Sequence, residues 1–335
     1  LFISILSGRD SDWTTAQSDL FKAGLLNNRI PFGLHLPGNQ QLVLQEDDEN
    51  LNITFSPDML EATMVTTQPY VIDVGSNLTE TVSLQETFVY RLGRERWLLA
   101  PPLSEFWGSR ERLQGNNMEI SFPERDKELA ARLLPDLERK LNEMCRTLQD
   151  IECPVDRQVE IQFSTDPATL AATTLPQAAR RTNDTLRIML PSPTLVGLPL
   201  DEASYQALFR GYASQMVTAL VARFVGYDCC DQLPFFQALV DYQLDQISYK
   251  PWTVTAEDYE RMRDEQMQLT DLADLWQSEN PDVLQNEDVW RVFVVVDYLL
   301  QAAPEISPAS LQRELSRRGS FFGWLNGSYA EERDS

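Results

Sequence analysis

Between residues 205 and 246 apolar positions return twice at helical spacing, on either side of a short turn that carries Cys229 and Cys230. Ala207, Leu208, Tyr212, Met216, Ala219, Leu220 and Phe224 recur every three or four residues, the period of a helix with one face turned to a core. Phe236, Leu239, Val240, Gln243, Leu244 and Ile247 repeat the pattern after Leu233-Pro234, so a helix pair is predicted. Residues 10–28 predict a shorter amphipathic helix on Trp13, Ala16, Leu20, Phe21, Ala23 and Leu25 or Leu26, ended by Pro31. From Phe32 to just beyond Trp97 the period shortens to that of strands: QLVLQ, LNITF, TMVTTQPYVIDV, VSLQETFVYRL and RWLLAPP. Polar turns separate these runs, and the pair around LGRER reads as a hairpin.

Residues 108–117 are polar and bear Gly and Asn, and the sequence places a domain boundary there. Strands and helices then alternate. Residues 118–122 predict a strand, and residues 124–148 a long helix with Leu129, Leu133, Leu137, Leu141, Met144 and Leu148 on one stripe, kinked at Pro135. Residues 159–163 and 186–190 predict strands, the second ending at Pro191-Ser192-Pro193. After the helix pair, Lys250-Pro251-Trp252 marks a turn. Thr255 opens a helix whose first turn carries Glu257 and Asp258, as the positive end of a helix dipole favours, and residues 262–272 continue it. Residues 290–302 predict a buried helix closed by Pro304 and Pro308, and residues 311–318 a last amphipathic one before a frayed tail.

Composition narrows the function classes. The chain has 335 residues, room for about two domains, and at 43% hydrophobic it can bury real cores. It carries 28 basic and 51 acidic residues, for a net charge of −23. Such a field repels nucleic acid and anionic lipid head groups, which sets aside DNA, RNA and direct electrostatic binding to membranes. The opening run LFISIL is far shorter than the ~20 apolar residues a spanning helix needs. It reads as the end of a removed signal anchor or as a buried first strand, and the first reading implies a membrane tether through a preceding segment.

The four cysteines lack the paired C-x-x-C spacing of a zinc site. A bridge between Cys145 and Cys153 would close a small loop and suits an extracytoplasmic, oxidising compartment; buried thiols are the alternative. Cys229 and Cys230 are open to pairing with each other, with the other two, or with neither. Asn52, Asn77, Asn183 and Asn326 head N-x-S/T sequons, weak support for secretion. The acidic run 46–49 lacks the ligand spacing and Gly of a calcium loop and reads as a solvated hairpin tip.

Catalytic chemistry can be weighed by counting. An H-E-x-x-H zinc site needs two imidazoles one helical turn apart, and the chain has one histidine, His35. A His-based zinc hydrolase is thereby excluded, as are Ser-His-Asp and Cys-His systems in the second domain. No phosphate-binding Gly-rich loop occurs. Asp241 and Asp245 sit four apart, with Glu202 just before the first helix, and leave a carboxylate-dependent hydrolase, for example one acting on glycans, as the alternative.

Two families are resembled. The strand-rich unit, closed by WLLAPPLSEFWG, resembles small cone-shaped α+β domains of the NTF2-like kind, in which a helix wraps a curved antiparallel sheet. From residue 118 to about 313 the order of elements resembles the peptidase MA-like gluzincins, where a strand, a helix and further strands lead to a helix bearing H-E-x-x-H. Gly211, Tyr212, Ala213, Ser214 and Gln215 stand at those five positions. Leu233-Pro234-Phe235-Phe236 resembles the family's Leu-Pro-x-Trp, but Gln237, Ala238 and Leu239 supply no glutamate as third ligand. Residues 270–275 resemble its Ser-Leu-x-Asp-Leu stretch, and residues 290–300 its late helix. The resemblance therefore implies a degenerate domain without metal or cofactor.

The expected fold is α+β: an N-terminal stub and helix (1–30), a strand-rich domain with a curved antiparallel sheet (31–112), an inactive gluzincin-like domain of short strands followed by mostly helices (113–325), and a tail (326–335). The expected role is non-catalytic binding or scaffolding outside the cytoplasm, in a bacterial envelope, of a protein, peptide or glycan. Tyr212, Gln215, Phe236, Gln237, Asp241 and Tyr242 are the candidate ligand groove. Bulky Tyr212 and Met216 also permit a closed cleft and a purely structural ectodomain.

Overall fold

A computed structural model of the protein describes residues 29–37, 52–75, 78–93, 96–147, 159–172, 179–182, 185–225, 232–247, 254–264, 276, 286–303, 306, 308–315, 321 and 323. The expected helix over 10–28, the QLVLQ strand, the acidic run 46–49, Cys153, Cys229 and Cys230 lie outside those residues.

The first sheet is built on a long hairpin. Strands β1 (Asn52–Phe55), β2 (Glu61–Gly75), β3 (Leu78–Leu92) and β4 (Trp97–Ala100) are all antiparallel, in the order β1-β2-β3, with β4 also on β3. Alternation sets its faces: Met64 opposes Phe88 and Tyr70 opposes Val82, all four buried. Pro69, which cannot donate to a ladder, sits beyond the stretch of β2 that β1 reaches.

A short helix, α1 (Ser104–Trp107), leads to the second sheet. There β5 (Arg110–Gln114) pairs antiparallel with β6 (Met118–Pro123), so the stretch expected to be a linker contains a strand. In RERLQ, Arg110, Arg112 and Gln114 are exposed, while Glu111 and Leu113 are half-buried and Leu113 packs toward the core. A 3-10 turn and α2 (Lys127–Thr147) carry the chain over the sheet to β7 (Val159–Ser164), parallel to β6. The predicted stripe Leu129, Leu133, Leu137, Leu141 and Met144 is buried, and α2 continues through Pro135. After α3 (Ala168–Ala172), β8 (Ala179–Thr182) forms the antiparallel edge of β9 (Thr185–Pro191), which lies parallel to β7. The resulting order is β5-β6-β7-β9-β8.

Beyond β9 the chain stitches the two sheets together. A single turn of helix, α4 (Pro193–Val196), leads to β10 (Leu198–Pro199), which returns across the expected boundary to pair with β3 of the first sheet. Then comes α5 (Glu202–Val225), capped by Asp201, whose carboxylate accepts from the Ser204 backbone N–H at 2.8 Å. Beyond its first turns α5 is buried on nearly every side, as an all-round apolar helix must be. With α6 (Leu233–Gln246), α7 (Ala256–Asp264), α8 (Asn286–Ala302) and α9 (Pro308–Leu315) it makes the helical part, where α8 and α9 pack on α6. Phe235, Trp276 and Phe321 join in an aromatic cluster at the start of α6. The architecture is mixed α and β, with one continuous hydrophobic core under both sheets. Among the described residues no helix is long and apolar enough to cross a membrane.

Candidate functional site

The five positions Gly211 to Gln215 lie on α5 under a strap of chain formed by Arg29 to His35. The strap contains one 3-10 turn, Ile30–Phe32, followed by Gly33 in the left-handed conformation. His35 exchanges both backbone hydrogen bonds with Val71, which ties the strap to β2. The chain's one histidine is thus exposed on the strap and not on α5.

Four of the five positions are buried. A Cβ on Gly211 would meet Phe32 Cδ1 at 2.7 Å, so the strap passes where only a glycine allows it. Tyr212 is fully buried between the rings of Phe32 and Phe163, at centroid distances of 5.1 and 5.3 Å. Its hydroxyl donates to the Pro191 carbonyl at 2.8 Å, and burial holds it well above the usual tyrosine range. Ala213 is buried, Ser214 half-buried, and the Gln215 amide donates to the Pro31 carbonyl at 2.6 Å.

Beneath the strap lies a buried polar layer that periodicity alone does not reveal. Arg29 donates from Nε to the Val196 carbonyl at 2.7 Å and stands 4.0 Å from Glu86, both side chains being about 4% exposed. Tyr70 donates its hydroxyl to Glu86. Burial pushes the Glu86 carboxyl up, with Arg29 and Tyr70 opposing it. Asp126, also buried, accepts from Ser192 Oγ at 2.5 Å, Thr194 Oγ1 at 2.6 Å and Thr194 N–H at 3.1 Å, and is likewise raised by desolvation. A signal for Glu86 was present: it occupies the inward register of Val82, Leu84 and Phe88 on β3.

The α6 residues divide. Phe236 is core, and Asp241 is buried and accepts from the half-buried Gln237 amide at 3.0 Å within its own helix. Tyr242 is half-buried, its hydroxyl raised by burial and by the Asp297 and Asp245 carboxylates. The groove expected from Tyr212, Gln215, Phe236, Gln237, Asp241 and Tyr242 is therefore divided: Tyr212 and Phe236 fill the interior, Gln215 is engaged by the strap, and Gln237, Asp241 and Tyr242 stay on α6. Glu202, the third carboxylate considered, is exposed and engaged by Arg132 and Gln206. Among the described residues no group of three or more His, Cys, Asp or Glu is placed to hold a metal ion. Cys145, half-buried near the end of α2, is disulfide-bonded.

No protein-family model matches the chain, and the comparisons with curated proteins and with solved structures find none that is similar to it.

Proposed function

We propose that the chain is a non-catalytic binding or scaffolding protein that works outside the cytoplasm, its second half a degenerate gluzincin-like domain without metal. The observation that carries this reading is the state of the α5 face. Two imidazoles and a glutamate at Gly211, Tyr212 and Gln215 would make a zinc-hydrolase site; in their place stand uncharged side chains covered by Phe32 and Pro31. Further support comes from the order of elements, in which β6, α2, β7, β8 and β9 precede the buried helix α5. The disulfide at Cys145 suits an oxidising compartment.

The closed face also favours a second reading, a purely structural ectodomain, because a ligand at Tyr212 would have to displace the strap. In either case recognition belongs on another surface. Metal analysis of the purified chain, with thermal unfolding in the presence and absence of a chelator, tests the metal-free reading. The expected result is no stoichiometric zinc and an unchanged melting temperature. Stoichiometric zinc together with a chelator-induced fall would overturn it.

A further inference from the structure

We draw no further inference here: the strongest candidate, the surface cluster of Tyr242, Tyr259, Asp297 and Tyr298 where α8 meets α6 and α7, is joined by its own hydrogen bonds and ring contacts, and nothing in the structure shows what covers it.

Discussion

The side-chain amide of Gln215 donates to the backbone carbonyl of Pro31 at 2.6 Å, joining residues 184 positions apart. It fastens the strap to the middle of α5, and Phe32 beside it fills the space over Gly211 and against Tyr212.

Phe32→Ala should therefore destabilise the protein by about 3–5 kcal/mol, the range for deleting a buried aromatic ring. Gly211→Ala should cost about 1–3 kcal/mol through overpacking against the same ring. The two are coupled, so in a double-mutant cycle read by urea unfolding Gly211→Ala should cost less in the Phe32→Ala background. Strict additivity would show that the ring and the glycine do not constrain each other.

Glu86 gives a pH signature. Burial raises its carboxyl in the folded state, so the stability this group contributes is fully present below its unfolded pKa, about 4.3. It is lost as pH rises from there through the raised folded value. Gln at position 86 has no such dependence and keeps an acceptor for Tyr70. The stability difference between E86Q and wild type should accordingly move in favour of Gln from about pH 4 to pH 7. Denaturation midpoints at several pH values measure it, and a pH-independent difference would refute it.

Cys145 should resist alkylation until a reductant is added, and peptide mapping without reduction should find it joined to Cys153, Cys229 or Cys230. Cys145→Ser should lower stability by about 2–4 kcal/mol. Ready alkylation of the native, unreduced chain would remove the bridge from the account.

Much of this fold can be read from periodicity, and what cannot has identifiable causes. The helices α2, α5, α6 and α8 and the β3–β4 hairpin announce themselves because each buries a face whose spacing is local. The strap does not, because Ile-Pro-Phe-Gly-Leu is too short for a period and its meaning depends on Tyr212 and Gln215, far along the chain. Edge strand β5 was concealed by its polar composition, because Arg110, Arg112 and Gln114 are exposed and Glu111 shares the inward register with Leu113, which leaves one apolar residue to mark a face. The covering of Gly211 and Tyr212 was only half legible: bulky Tyr212 hinted at it, but Phe32, which packs on both, comes from outside the domain in which the groove was sought. The buried Arg29 and Glu86 pair across 57 positions, as 86 minus 29, and distant charge pairing leaves no local spacing to detect.

Strand β10 has a consequence for synthesis of the chain. Its two residues cover the edge of β3 at Gln85 and Leu84, and Gly197 before it packs against the Leu84 side chain. A ribosome adding ~5–20 residues per second needs on the order of ten seconds to travel from the end of β3 to this point. Throughout that interval the finished hairpin has an open edge, a template for pairing with a neighbouring nascent chain. Production of this protein should therefore depend on how crowded its own polysomes are: slower initiation, which spaces nascent chains apart, should raise the yield of folded protein per chain made.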